Sequence, residues 1–174
     1  MANFATFDTF VSSTYGQTIG EGECWDYINL LWSHLGSKYW TYPPSDPQAT
    51  NHGVKWGWLN TDARTANTIT HLTQVPSLSN IKRGDIIVTS TGTYGHAGYA
   101  NENYNGSGFL MVYSQNYSTP SVTLDSLDMT NFVGAWRYDA WNVQPPSPTF
   151  SIKRKRRFPF VLYARKLDEK RRGL

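Results

Sequence analysis

The sequence predicts an α+β fold, on two observations. Apolar residues recur at helical spacing up to Leu35, and from Lys82 onward short runs of strand-forming residues alternate with turn residues. Helices first and antiparallel strands after is the order of that class, not of an alternating α/β chain. The 174 residues are enough for one well-buried core and at most a small appendage.

Each element has its own signal. Phe4, Phe7 and Val11 mark a first helix that Gly16 ends, and a second should run from Cys24 to Leu35. Trp25, Ile28, Leu31, Trp32 and Leu35 form its inward stripe, and Gly36 stops it. The loop over 39–60 carries Pro43, Pro44 and Pro47 among Trp40, Tyr42, Trp56 and Trp58, and its length marks a functional wall. Thr61 to Thr73 reads as a third helix. Gly84 and Asp85 then introduce a buried strand, Ile86 to Thr89. Further strands follow at His96–Ala100, Phe109–Gln115 and Val133–Tyr138, with the turn-rich 103–108 stretch making a hairpin. Pro145, Pro146 and Pro148 break the chain, which divides it into a domain over 1–144 and a hinge with a basic tail over 145–174.

Composition narrows the setting. The chain has 7 Trp, 11 Tyr and 8 Phe but only 17% charged residues. Such rings suit either a core or a groove that handles sugars or peptides. One cysteine excludes an internal disulfide. No run of about 18 apolar residues is present to span a membrane. The N-terminus lacks the basic start and apolar stretch of a secretory signal. Residues 1–150 hold 6 Lys/Arg against 11 Asp/Glu, a balance of −5, whereas residues 151–174 hold 10 against 2, a balance of +8. The body is acidic and the tail basic.

Three stretches carry the chemistry. Cys24 stands at the head of a helix, where unpaired N–H groups and the helix dipole favour a thiolate and can hold an oxyanion. His96 lies between Gly95 and Ala97-Gly98, small residues that let another element approach. Alternation puts Ser114 and Asn116 on one face of their strand and Tyr113 and Gln115 on the other. A lone cysteine with a distant histidine and an amide is the layout of a thiol hydrolase. The competing readings are a packed thiol at Cys24 and the start of a turn at Ser114–Asn116. One cysteine and scattered histidines give no metal-ligand spacing, and no metal or cofactor is expected.

Together these stretches resemble the CHAP family, the cysteine- and histidine-dependent amidohydrolase/peptidase domains of bacterial and phage wall-degrading enzymes. The resemblance covers roughly residues 12 to 140. It is carried by Gly-Glu-Cys-Trp-Asp-Tyr (22–27), Lys-Trp-Gly (55–57), Lys-Arg-Gly-Asp-Ile-Ile-Val (82–88), Gly-His-Ala-Gly (95–98) and Ser-Gln-Asn-Tyr (114–117). It implies a papain-like fold with N-terminal helices packed on an antiparallel sheet. The implied activity is cleavage of peptidoglycan amide bonds, either at the muramoyl-L-alanine linkage or within the stem peptide and cross-bridge. By the same resemblance Cys24 is the nucleophile, His96 the general base and Asn116 its orienting residue. Trp56, Trp58 and Ser114 are expected to line the substrate groove.

The chain departs from the family at two places. Glu23 replaces the glutamine that many relatives carry before the cysteine, and its carboxylate opposes thiolate formation unless it points away. Ser114 replaces a glutamate that many carry two residues before the asparagine. Either Asn116 then suffices, or another acid such as Asp26 contributes. Only Glu21 and Glu23 lie just upstream of the cysteine, so no calcium site is expected.

The tail suits an anionic partner: a wall polymer, nucleic acid or a virion protein. The resemblance, with no signal sequence in view, implies a phage endolysin or virion-borne lysin. Such a protein resides in the host cytoplasm or the virion and acts at the wall. A catalytically silent structural or wall-binding protein of a phage particle is the alternative.

Overall fold

The computed structural model describes residues 1–36 and 71–142. The 39–60 loop, residues 61–70 of the expected third helix and the 145–174 tail lie outside the described residues.

Helix α1 spans Phe7–Thr14 and α2 spans Cys24–His34. Thr6 caps α1: its hydroxyl accepts from the Thr9 N–H, and the Thr9 hydroxyl accepts from the Thr6 N–H. Phe7, Phe10 and Val11 form the inward stripe of α1, and Tyr27, Ile28, Leu31 and Trp32 that of α2. The strands are β1 (Leu72–Val75), β2 (Ile86–Thr89), β3 (His96–Ala100), β4 (Phe109–Ser114), β5 (Thr123–Asp128) and β6 (Phe132–Tyr138). A short helix α3 (Asp139–Asn142) follows. The strands make one antiparallel sheet in the order β1-β6-β2-β3-β4-β5.

The two faces of the sheet carry separate cores. Ile86, Val88, Ala97, Tyr99 and Trp136 pack with α1, α2 and Trp141 on one face. Ile87, Ala100, Val112, Leu127 and Ala135 pack with Ile81 and Met129 on the other. Tyr99 joins sheet to helix. Its ring lies 4.9 Å from that of Tyr27 and 5.0 Å from that of Phe10, and its hydroxyl donates to the Tyr27 and Ile28 carbonyls. The expected α+β class, helices packed on an antiparallel sheet, is the architecture observed.

One expectation is corrected, and one strand was not expected. Leu72 and Thr73, read as the end of a helix, belong to β1, which pairs with β6 through Leu72↔Tyr138 and Val75↔Ala135. Sheet pairing decides the conformation there, and Thr73 and Val75 are β-branched. Strand β5 carried no expectation at all. Its sequence Thr-Leu-Asp-Ser-Leu-Asp turns Asp125 inward and leaves Leu124 partly exposed, the reverse of an ordinary strand pattern.

The Gly84-Asp85 step has a structural purpose. Asp85 is fully buried and accepts from Arg137 Nε at 2.9 Å, Arg137 Nη2 at 2.8 Å and the Lys82 N–H at 2.8 Å. Burial pushes its carboxyl above the ordinary range, with Arg137 opposing. The bidentate pair fastens the approach to β2 onto β6. Removing one partner of a buried pair leaves the other desolvated and unmatched, so Asp85→Ala is expected to lower stability by about 3–5 kcal/mol. Urea unfolding with an unchanged slope measures this. A loss below about 1 kcal/mol would place the pair among solvated surface contacts.

Candidate active site

The loop before α2 is held by side chains at both ends. Asp26, in the first turn of the helix, accepts from the Glu21 and Glu23 N–H groups at 3.0 and 3.1 Å. Gly20 (φ 58°) makes room, because a Cβ there would stand 2.7 Å from Asp26 Cγ. From the sheet, the fully buried Gln115 accepts from the Ile19 N–H at 2.7 Å and donates to the Ile19 and Glu23 carbonyls at 2.9 and 2.8 Å. Asp26 is therefore committed to backbone donors ahead of Cys24 and builds the loop.

Cys24 opens α2, and the Trp25 and Ala97 backbone N–H groups reach its sulfur. The Ala97 donor is free for a topological reason. Asn101 N–H bonds Met111 O of β4, so alternation turns the Ala97 N–H toward β4 as well. Pairing between β3 and β4 ends at Gly98↔Ser114. Asn116, which the continuing register would set opposite His96, instead adopts φ 62° and bends the chain away. A left-handed residue there is acceptable because asparagine tolerates it. The sulfur takes the place that β4 leaves, one residue from His96.

Both members of this pair are neutral at rest. Burial pushes the Cys24 thiol up to about 11. The Ala97 N–H pulls it down, the Glu23 carboxylate raises it, and Trp25 and Asp26 act more weakly in opposite senses. Burial likewise lowers His96 to about 4, partly offset by the charge of Asp125. His96 is 5% exposed, and the Tyr117 ring lies 4.9 Å from its imidazole. Its Nε2 is buried with no hydrogen-bond partner among the described residues.

The remaining expected residues divide. Asn116 is exposed, and its Nδ2 donates to Glu23 Oε2 at 2.7 Å, so the amide nitrogen serves the head of α2 and leaves Oδ1 as its acceptor. Ser114, expected in a substrate groove, is fully buried and donates to Asp125 Oδ2 at 2.7 Å; it belongs to the wall behind the site. Trp56 and Trp58 lie outside the described residues. No group of three His, Cys, Asp or Glu side chains that could hold a metal ion occurs among the described residues. Sequence reasoning gave no role to Gln115, Tyr117 or Asp125. For Asp125 a signal existed: a serine at 114 leaves an imidazole without a carboxylate, and the strand returning after the 116–122 turn is the nearest to supply one.

A buried thiol of this kind should react slowly with iodoacetamide at neutral pH, and the rate should climb as the thiolate forms toward about 11. Mass spectrometry of the alkylated chain across a pH series reads this. A midpoint at about 8.5, the value of an ordinary thiol, would mean that Cys24 is far less desolvated than its burial implies.

No protein-family model and no curated protein sequence matches the chain. Among solved structures, it is similar to the wild-type endolysin LysIME-EF1, with a TM-score of 0.54 and 18% identity over 79% of this chain and 64% of that one. Ly7917 gives a TM-score of 0.49 and 18% identity over 74% of this chain and 59% of that one. The chain thus spans less than two thirds of either protein's length. At this identity, what the chain shares with LysIME-EF1 is its fold.

Proposed function

We propose that this chain is a peptidoglycan hydrolase that cuts an amide bond through a cysteine nucleophile, as a phage lysin would. The observation that carries the reading is the sulfur of Cys24 at the head of α2, bonded by the N–H of the residue next to His96. The fold shared with an endolysin supports it. The cut bond is either muramoyl-L-alanine or one in the stem peptide or cross-bridge.

The resting pair dictates the order of events. Cys24 is a thiol and His96 a neutral imidazole, so the proton leaves sulfur for the imidazole as sulfur bonds to the substrate carbonyl carbon. Backbone N–H groups in the first turn of α2 receive the oxyanion. Collapse breaks the C–N bond, and the imidazolium gives its proton to the departing amine. Water, deprotonated by His96, then opens the thioester and restores the thiol. A neutral resting pair also suits a silent wall-binding protein, which would hold the polymer without turnover.

In a folded chain, Cys24→Ser should remove wall hydrolysis, since the hydroxyl is a far poorer nucleophile. His96→Ala should be about as damaging, and the double variant no slower than either single one, because nucleophile and base act as a unit. Lysis by the serine variant would reject the mechanism. Turbidity loss of purified Gram-positive walls measures it, and a wild-type chain that binds walls without clearing them would favour the silent reading.

The 145–174 segment is proposed as an electrostatic tether outside the catalytic domain. Deleting residues 151–174 removes +8 of charge, so binding to phosphate-rich walls should weaken most at low salt, where screening is least. Cleavage of small soluble muropeptides should be unchanged. Loss of muropeptide cleavage would make the tail part of the fold instead.

A further inference from the structure

Asp125 is a buried carboxylate. It is 7% exposed and has no salt-bridge partner among the described residues. Three hydroxyls surround it: Ser114 Oγ at 2.7 Å and Thr123 Oγ1 at 3.0 Å on Oδ2, and Ser118 Oγ at 2.5 Å on Oδ1. Three hydroxyl donors converging on one carboxyl occupy acceptor sites on both of its oxygens. A buried anion so built is costly unless positive charge is available to it.

Register sets Ser114 on the diagonal from His96, with Asp125 beyond it on β5. Asp125 lies opposite Val112 on β4, and Ser114 lies opposite Gly98 on β3. Opposed residues share a face, so His96, Gly98, Ser114 and Asp125 all belong to the face turned away from the helices. Gly98 permits the close approach: a Cβ there would stand 2.9 Å from Ser114 Cβ. The Ser114 proton is committed to Asp125, so its oxygen offers lone pairs alone. His96 Nε2, on a residue of the same face, is buried and has no hydrogen-bond partner among the described residues.

We propose that Ser114 and Asp125 are the positioning relay of His96. The imidazole donates Nε2–H to Ser114 Oγ, Ser114 donates to Asp125, and the carboxylate balances the imidazolium formed when Nδ1 takes the Cys24 proton. The relay rests on Cys24 and His96 being the reacting pair. Its first bond is open in the free chain and closes as the imidazole charges, in keeping with catalytic hydrogen bonds that tighten in the substrate complex. Asp125 is also the charge that raises the basicity of His96. Glu23 and Asp26, the acids at the head of α2, act on Cys24 instead. Asn116, bound to Glu23, is left to hold the helix head.

Two measurements on the full chain test the relay, with Ser114→Ala and Asp125→Asn. The first is the pKa of His96, read from the pH dependence of its imidazole shifts and independent of any activity. Ser114→Ala should lower it, because the imidazolium then has no acceptor for Nε2–H, and Asp125→Asn should lower it too, because the balancing charge is gone. The second is wall hydrolysis, where each variant should lower kcat about a hundredfold with KM nearly unchanged, and the double variant should be no worse. An unchanged His96 pKa in the folded Ser114→Ala variant overturns the relay, whatever the rates do. If Asp125→Asn does not fold, Ser114→Ala decides alone. A His96 pKa lowered by Ser114→Ala in a chain whose wild type cuts no walls upholds the relay and rejects the proposed hydrolase.

Discussion

The site depends on one tie between sheet and helix, the Gln115 side chain. Its amide makes three hydrogen bonds to the backbone of Ile19 and Glu23 while fully buried. A buried group left without its partner costs about 1–3 kcal/mol, so the loop before α2 has no cheap alternative position. The pinned Glu23 carbonyl belongs to the residue before Cys24. Hydrophobic packing of α2 on Tyr99 fixes the helix broadly, whereas the amide fixes its first turn to within hydrogen-bond tolerance. The nucleophile role proposed for Cys24 needs the second kind of precision.

That tie places polar chemistry in a dry setting, and the electrostatics follow. Burial dominates at both Cys24 and His96, and it acts in opposite directions on their proton affinities because one is charged when deprotonated and the other when protonated. Neither carries charge at rest. In the proposed reaction charge arises only as the proton moves, which is when preorganised dipoles and a buried carboxylate become useful. Glu23 fits the same logic. Its carboxylate disfavours a resting thiolate, yet it accepts from Asn116 and so closes the loop over the helix head.

Much of this was legible in the sequence, and the reasons are local. α2 declared itself because its inward stripe and its stop coincide, and observation agrees to within a residue at its end. β2, β3 and β6 were legible as apolar runs next to turn residues. β1 was hidden because Leu72-Thr73-Gln74-Val75 acquires its conformation from pairing with β6, some sixty residues on. β5 was hidden because its inward positions include an aspartate whose partners, Ser114 and Ser118, lie on another strand and its turn. The candidate residues Cys24 and His96 could be picked out by type and neighbours. Their supports could not, since Gln115 and Asp125 acquire meaning only from register.

Register also explains how the strand that begins at His96 meets a cysteine delivered from the helix face of the sheet. The meeting happens at the sheet's end, where faces cease to matter. With β4 bent away at Asn116, the Ala97 N–H that would have bonded it turns to the Cys24 sulfur. Sulfur thus approaches β3 edge-on, along the hydrogen-bonding direction, while the preceding residue, His96, belongs to the far face that Ser114 shares. Three consecutive residues serve three directions: Ser114 faces β5, Gln115 the loop before α2, and Asn116 the helix head. A period of two separates the first two, and a left-handed turn sends the third elsewhere. A shift of one residue in the β3–β4 register would exchange the faces of Ser114 and Gln115, taking the Ser114–Asp125 bond and the tie to α2 away together. The two supports stand or fall as one, because a single strand end specifies both.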